Sequence, residues 1–126
     1  MKNKKFKILS IDGGGIKGVF PALFLTLLED ELRNRSDGKT QIYQHFDLIT
    51  GTSTGGIIAI ALALGIPAKE IYQLYLDNAG KIFGSKKSFF IGQIRNSAHE
   101  REFLENLVRE KFKDANNGVE PRLDDC

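Results

Sequence analysis

Apolar and polar residues recur along the first fifty positions in a pattern that predicts a strand, a helix and a second strand. Residues 6–11 are rich in apolar and β-branched residues and run into Asp12 and three glycines, which predicts a buried strand closed by a tight loop. Residues 19–35 carry apolar positions at helical spacing and predict an amphipathic helix. Those positions are Phe20, Leu23, Phe24, Leu27, Leu28 and Leu32. Residues 46–50 predict the second strand, so the order predicts a parallel βαβ unit.

The second half of the sequence is predicted to be helical. Residues 57–64 are apolar on every side, which predicts a buried helix, and Gly65 is placed to cap it. A further helix is predicted over residues 67–82, and Ser97 with Glu100 forms a capping box that predicts the start of another. The apolar positions of these two helices are Ile71, Leu74 and Tyr75 in the first, and Phe103, Leu104, Leu107 and Val108 in the second.

Two predicted strands make a poor parallel sheet, because such sheets bury both faces beneath helices and normally contain more strands. The sequence therefore predicts an α/β fold with an incomplete parallel sheet. We expect either the front part of a larger domain or a chain that needs a partner to cover one edge of the sheet.

Composition and charge exclude several classes of protein. Hydrophobic residues make up 41% of the 126 residues, a composition typical of one globular domain and not of a disordered chain. The 18 basic and 16 acidic residues leave a net charge of +2, which is too balanced to imply a nucleic-acid partner. No apolar run approaches the roughly 20 residues needed to cross a bilayer. The lone Cys126 forms neither an internal disulfide nor a cysteine-rich zinc site, which favours a reducing compartment. The apolar stretch behind the N-terminal lysines stops at Asp12 and is too short for a signal peptide, so we expect a cytoplasmic protein without an export signal.

Candidate chemistry is concentrated in two glycine-rich windows, which hold seven of the 13 glycines. Each window follows a predicted strand and precedes a predicted helix. The second window contains G-x-S-x-G, in which the glycines permit a sharp strand-to-helix turn that exposes a serine hydroxyl. Ser53 is therefore a candidate nucleophile, and the other residues of the predicted nucleophile elbow are Gly51, Thr52, Thr54, Gly55 and Gly56. A turn that merely caps the following helix has the same pattern.

The first window, residues 13–18, satisfies G-x-G-x-x-G. Successive backbone N–H groups at a helix N-terminus hold either a phosphate or a developing oxyanion, so two functions compete. A dinucleotide site expects an acid at the end of the second strand, but that strand ends in the Ser53 turn. Asp12 would repel a pyrophosphate, and Val19 stands where a phosphate-binding loop has lysine. Nucleotide binding is therefore the weaker hypothesis.

The two windows together resemble the patatin-like phospholipases in motif, order and spacing. The residues that carry this resemblance are Asp12-Gly13-Gly14-Gly15-Ile16-Lys17-Gly18 and Gly51-Thr52-Ser53-Thr54-Gly55-Gly56. The resemblance implies a three-layer α/β/α fold, of which residues 1–126 are the N-terminal portion, and a lipid acyl hydrolase of the phospholipase A type with a Ser-Asp dyad. It implies Ser53 as the nucleophile. The implied oxyanion hole comprises Gly13, Gly14 and Gly15, with Lys17 at the family's basic position and Gly18 at the end of the loop.

The resemblance also implies a partner. The substrate is a phospholipid or another acyl-ester lipid, reached by transient contact with a membrane surface, and the dyad chemistry needs neither a metal nor an organic cofactor. Residues 86–91 place two lysines beside large apolar side chains, which fits either an anionic lipid surface or, more commonly, a segment folded onto the core. The sequence determines neither the head group, the acyl position cleaved nor the oligomeric state.

The sequence departs from the family pattern at the general base. The family's dyad Asp lies in a later Asp-Gly-Gly or Asp-Gly-Ala motif, and no such motif follows Ser53 here. We therefore expect little turnover from these residues alone, and a non-catalytic patatin-like fragment is the alternative function. Ser53, Asp77 and His99 fall in the order of an α/β-hydrolase triad, but Asp77 and His99 fit solvated helix positions better. The position of His45, just ahead of the second predicted strand, fits a structural turn residue better than a base.

Overall fold

The computed structural model describes residues 5–36, 38–82 and 96–122, with side chains at 5–36, 38–78, 105–106 and 108–122. Its main elements are the strands β1 (Ile8–Ile11) and β2 (Leu48–Gly51) and the helices α1 (Val19–Arg35), α2 (Thr54–Ala63), α3 (Ala68–Ile82) and α4 (Asn96–Ala115). Short 3-10 helices span Gly15–Gly18 ahead of α1 and Ile42–His45 ahead of β2. The basic and apolar run at 86–91 lies outside the described residues.

Strands β1 and β2 form the parallel pair that the sequence predicts. Ile8 pairs with Leu48, and within the described residues the sheet consists of these two strands. Both strands begin two residues later than predicted, because the contact between Lys7 and Asp47 just before them includes a side-chain hydrogen bond. The Lys7 N–H donates to the Asp47 carboxylate at 2.8 Å, and the Lys7 carbonyl accepts the Asp47 N–H at 2.8 Å.

Within the described residues, one face of this sheet is covered and the other is open. Core-facing side chains on the strands are Leu9, Ile11 and Ile49, whereas the exposed ones are Ile8, Ser10, Leu48 and Thr50. Parallel sheets normally carry helices on both faces. The described residues therefore form a partial α/β/α arrangement, which confirms the α/β prediction and the incomplete sheet.

Helix α1 has the predicted bounds but buries a different face from its apolar stripe. Its buried residues are Ala22, Leu25, Thr26 and Glu29. Phe20 and Phe24 are 71% and 64% exposed, while Leu28 and Leu32 pack against the core. The main partner of α1 is α3, and small side chains such as Ala22 let two helices approach closely. Only the C-terminal part of the predicted stripe therefore joins the core.

Helix α2 begins at Thr54, three residues before the predicted start. The carbonyl groups of Thr52 and Ser53 accept the N–H groups of Gly55 and Gly56, each at 2.9 Å, so both glycines already belong to the first helical turn. The prediction placed the start later because the apolar run begins only after the glycines.

The C-terminus of α2 is capped as predicted. The Gly65 N–H donates to the Leu62 carbonyl at 2.9 Å, and the Ile66 N–H donates to the Ala61 carbonyl at 3.0 Å, which together form a Schellman motif. The prediction that this helix is buried on every side is wrong at Ile60, which is 39% exposed. An apolar run by itself does not show that a partner covers each side of the helix.

Helices α3 and α4 complete the covered side of the molecule. Ile71 and Tyr75 of α3 are buried and Leu74 is half-buried, as the stripe predicts. Helix α4 begins one residue before Ser97, so Ser97 lies inside the helix and is not its N-cap. Phe112 of α4 packs against the core. The side chains of Phe103, Leu104 and Leu107 lie outside the described residues.

A buried carboxylate connects α1 to two other segments. Glu29 is 2% exposed and accepts the Ala68 N–H at 2.9 Å, at the first residue of α3. It also accepts the Ile42 N–H at 3.3 Å, at the start of the second 3-10 helix, and lies 3.7 Å from the Arg33 guanidinium. The first N–H groups of a helix have no partner within the helix and favour an anion. Glu29 therefore sets the position of α3 relative to α1.

Candidate active site

The two glycine-rich windows lie side by side at one edge of the sheet. Because β1 and β2 are parallel, their carboxyl ends meet at the same edge, and each strand runs directly into one window. The Thr52 N–H donates to the Ile11 carbonyl at 3.1 Å and so extends the pairing just past the end of β2. The loop that begins at Gly13 therefore starts next to the turn that contains Ser53.

Ser53 lies in the turn between β2 and α2, with an exposed side chain. Its φ of 56° and ψ of −124° form a backbone conformation that residues with a side chain rarely adopt. Such strain persists only where the surrounding structure holds the residue in place, and it is concentrated at functional sites. The geometry is that of a sharp strand-to-helix turn that presents a hydroxyl group, as G-x-S-x-G requires.

The glycines on either side of Ser53 are required by close packing. A Cβ atom on Gly51 would overlap the Gly55 carbonyl, and a Cβ atom on Gly55 would overlap the Ile11 carbonyl oxygen. The turn is thus pressed against the end of β1. No residue other than glycine fits at either position without a shift of the backbone.

The glycine loop contacts the serine turn through Gly13. A Cβ atom on Gly13 would overlap the Thr52 carbonyl oxygen and would lie 3.0 Å from the Ser53 Cβ atom. Donors of an oxyanion hole must lie roughly 3 Å from the position of the substrate oxygen. That the N–H groups of Gly14 and Gly15 point toward the Ser53 hydroxyl stays a prediction.

Lys17 lies over the same loop. Its N–H donates to the Gly14 carbonyl at 3.2 Å, and its Cβ and Cδ atoms pass 3.6 and 3.7 Å from the place of a Gly14 Cβ atom. Gly14 and Gly15 have φ values of 133° and 60°, which glycine adopts without strain. The aliphatic part of this exposed lysine therefore runs along the loop.

A sequence model of the patatin-like phospholipases matches residues 9–122, which include both windows. The chain belongs to the patatin-like phospholipase family. The family membership that the two motifs indicated is confirmed, and so is the partial α/β/α fold.

Relatives of this patatin-like chain come from plants and bacteria. Patatin-like protein 2 of Oryza sativa subsp. indica is 33% identical over 126 residues, covering 90% of this chain and 31% of that protein. The cGAMP-activated phospholipase of Escherichia coli (strain TW11681) is 36% identical over 111 residues, covering 82% and 31%. Patatin group M-3 of Solanum tuberosum is 34% identical over 113 residues, covering 83% and 28%. The chain spans about a third of the length of these relatives, and no solved structure matches it significantly.

The patatin-like chain also contains a contact that the sequence does not reveal. The Tyr75 hydroxyl on α3 donates to the Thr54 carbonyl at 3.1 Å, directly after Ser53. Tyr75 is 4% exposed, and burial raises its pKa to about 12, with the Thr54 side chain acting in the opposite direction. The sequence predicts only that Tyr75 is a core residue. The hydroxyl group of Tyr75 could have indicated such a contact, because a buried tyrosine usually has a hydrogen-bond partner.

Thr54 and Gly18 complete this contact. The Thr54 hydroxyl is buried and has no hydrogen-bond partner in the described part of the chain. A Cβ atom on Gly18 would lie 3.1 Å from that hydroxyl oxygen and 3.2 Å from the Tyr75 ring. Gly18, the last residue of the first 3-10 helix, therefore packs where the elbow and α3 meet.

The other two residues of the alternative triad, Asp77 and His99, lie on helices. Asp77 is exposed on α3 and accepts a hydrogen bond from the Gln73 amide at 2.8 Å. His99 lies in the first turn of α4, and its side chain is outside the described residues. His45 ends the second 3-10 helix, with its Nε2 atom 2.6 Å from the Thr40 hydroxyl. These positions support the solvated interpretation of Asp77 and the structural one of His45.

A cavity of about 200 Å³ lies among α2, α3 and α4. Its apolar lining residues are Ile57, Ala61, Ile66, Ile71, Leu74, Val108 and Phe112. Neither Ser53 nor any residue of the glycine loop lines it.

Within the described residues, no group of three or more His, Cys, Asp or Glu side chains is placed to hold a metal ion. Across that same part of the chain, no helix combines the length and apolar character needed to cross a membrane.

Proposed function

We propose that this chain carries the nucleophile and the oxyanion-binding loop of a lipid acyl hydrolase of the phospholipase A type. The observation that carries the proposal is an exposed Ser53 at a φ of 56° in a strand-to-helix turn that the Gly13 loop touches. Residues 1–126 form the N-terminal portion of the patatin-like domain in this proposal. The greater length of the relatives supports that assignment.

In the proposed reaction, the Ser53 Oγ atom attacks the carbonyl carbon of an acyl ester while its proton passes to a general base. Backbone N–H groups of Gly13, Gly14 and Gly15 donate to the resulting oxyanion, and Lys17 adds positive charge. The tetrahedral intermediate then expels the alcohol, which takes the proton from the base and leaves an acyl group on Ser53. Water, deprotonated by the same base, attacks this acyl-enzyme, and the fatty acid is released as the base returns the proton to the Ser53 Oγ atom.

The general base of this proposal is the Asp of a Ser-Asp dyad, in an Asp-Gly-Gly or Asp-Gly-Ala motif that does not follow Ser53 in these 126 residues. Asp77 is bonded within its own helix, which gives no support for a role as the base. A serine hydroxyl without a base is a poor nucleophile at neutral pH. We therefore expect these residues alone to turn over acyl esters several orders of magnitude more slowly than a chain that includes the dyad Asp.

The proposed substrate is a phospholipid or another acyl-ester lipid, met at a membrane surface by a cytoplasmic protein. The family membership and the printed name of the Escherichia coli relative, a phospholipase, support this substrate class. Ile16 and Phe20 are exposed beside the glycine loop and offer an apolar surface to a lipid assembly. The lone Cys126 supports a reducing compartment.

The test compares Ser53→Ala with the wild-type sequence in an assay of phospholipid hydrolysis and in labelling by a fluorophosphonate, which reacts with activated serine hydroxyls. It uses this chain and a longer chain from the same gene that continues into an Asp-Gly-Gly or Asp-Gly-Ala segment. Ser36→Ala is the matched control, because Ser36 caps the C-terminus of α1. It lies about 25 Å along the helix axis from the end of α1 that adjoins the glycine loop.

We expect the longer chain to hydrolyse phospholipid and to lose that activity in Ser53→Ala but not in Ser36→Ala. Hydrolysis that survives Ser53→Ala would refute Ser53 as the nucleophile. A longer chain that hydrolyses no acyl ester would support the non-catalytic patatin-like alternative. A chain that binds nucleotides in a titration and ignores acyl esters would support the nucleotide-binding module instead.

A further inference from the structure

Three residues from three separate segments meet next to Ser53. They are Gly18 at the end of the glycine loop, Thr54 at the start of α2 and Tyr75 on α3, and we call this group the elbow joint. We propose that Tyr75 is a positioning residue that holds the nucleophile elbow and the glycine loop in register. The consequence for catalysis rests on the function proposed above.

The hydrogen bond from Tyr75 reaches the peptide group that follows the candidate nucleophile. The Tyr75 hydroxyl lies 3.1 Å from the Thr54 carbonyl oxygen, and both residues are buried. Water therefore competes little for this bond, in which the neutral phenol is the donor. Thr54 is thereby fixed from outside its own helix.

The same tyrosine also contacts the glycine loop. Its ring packs against Gly18, with Cε1 3.2 Å from the place of a Gly18 Cβ atom, so a side chain there would press on both Tyr75 and Thr54. Gly18 is buried and ends the 3-10 helix that begins at Gly15. One side chain therefore touches both segments that the proposed reaction must hold together.

Ser53 needs such support from its surroundings. Its φ of 56° is strained for a residue with a side chain, and strain of this kind is kept only by contacts that over-determine the backbone. Among the described residues, the Thr54 hydroxyl has no hydrogen-bond partner. The Tyr75 bond supplies a polar contact at the residue directly after Ser53.

The test compares Tyr75→Phe with Tyr72→Phe, by hydrogen exchange in this chain and by labelling in the longer chain that includes the dyad Asp. Tyr72 lies one turn earlier on α3 and packs partly against the same core, so its variant also removes one tyrosine hydroxyl from the helix. The first measurement is amide hydrogen exchange over residues 13–18 and 51–56. The second is the rate of Ser53 labelling by a fluorophosphonate, separated into the maximal rate kinact and the apparent affinity KI.

We expect Tyr75→Phe to speed exchange in both segments about tenfold, the effect of one lost buried hydrogen bond, while Tyr72→Phe leaves both near the wild-type rate. The value of kinact should fall by a similar factor with KI unchanged, because the nucleophile is misplaced while the binding surface is kept. A general loss of stability would instead speed exchange along the whole chain.

Unchanged exchange in Tyr75→Phe overturns the proposal, as does equal acceleration in Tyr72→Phe. Exchange that rises while kinact stays at the wild-type value also overturns it. Wild-type protein that shows no Ser53-dependent labelling counts against the proposed function. The exchange comparison then still decides whether Tyr75 holds the two segments in register.

Discussion

Gly13 lies so close to the carbonyl oxygen of Thr52 that no side chain fits between the two residues. The two residues come from windows that are separated in sequence by α1 and β2. Their contact forms because parallel strands deliver both windows to the same sheet edge. The proposed oxyanion loop and nucleophile therefore share one packing contact, and a change on one side should disturb the other.

Gly13→Ala tests this shared contact. The added methyl group must displace the Thr52 carbonyl, so we expect a loss of about 1–3 kcal/mol in the free energy of unfolding. In the longer chain that includes the dyad Asp, we also expect at least a tenfold drop in Ser53 labelling by a fluorophosphonate.

Gly118→Ala is the control for a general loss of stability, because Gly118 has a φ of 80° but no atom within 4 Å of an added Cβ atom. It should cost about 1 kcal/mol through backbone strain and leave the labelling rate unchanged. Equal labelling of Gly13→Ala and the wild type would contradict the shared contact.

Ser53→Gly and Ser53→Ala should differ in stability although both remove the hydroxyl group. Alanine keeps the Cβ atom that makes a φ of 56° unfavourable, whereas glycine relieves it. We expect Ser53→Gly to exceed Ser53→Ala by about 1 kcal/mol in the free energy of unfolding, measured in urea. Equal values would mean that the Ser53 backbone stores no strain.

Glu29→Ala should be among the most destabilising single changes in α1. It leaves the N–H groups of Ala68 and Ile42 without their acceptor in a buried place, so we expect a loss of about 3 kcal/mol. Glu29→Gln keeps an acceptor oxygen and should lose less. Glu31→Ala is the control, because Glu31 is exposed and its ion pair with Arg35 lies on the surface. Such a pair contributes about 0.5 kcal/mol to the free energy of unfolding. Similar losses for Glu29 and Glu31 in thermal unfolding would contradict the role of Glu29.

Stability in alkali should depend on Tyr75. Burial raises the pKa of Tyr75 to about 12 from 10.0, so folding favours the neutral hydroxyl. This contribution is complete below about pH 10 and is lost as the pH rises towards about 12. Urea unfolding across that range should show a steeper fall for the wild type than for Tyr75→Phe. The absence of any difference in slope would show that Tyr75 ionises as freely in the folded chain as in the unfolded one.

Local patterns in the sequence were sufficient for several features. The bounds of α1, the Gly65 cap of α2 and the order of strand, glycine window and helix all follow from spacing and from glycine chemistry. The motif around Ser53 was recognisable in the sequence because a side chain at Gly51 or Gly55 would overlap neighbouring backbone atoms, so glycine is the residue that fits there. These constraints act over a few residues, so they appear directly in the sequence.

Other features depended on which segments meet in space. The apolar stripe of α1 predicted an amphipathic helix but not that Phe20 and Phe24 would stay exposed while Glu29 is buried, because periodicity does not name the partner of a face. The start of α2 at Thr54 was hidden because hydrogen bonds from the turn, and not apolar residues, begin that helix. The bond from Tyr75 to Thr54 joins positions that only the packing of α3 against the elbow brings together. The sequence by itself therefore determined the residue types that the candidate site needs, and the tertiary structure decided which of them touch.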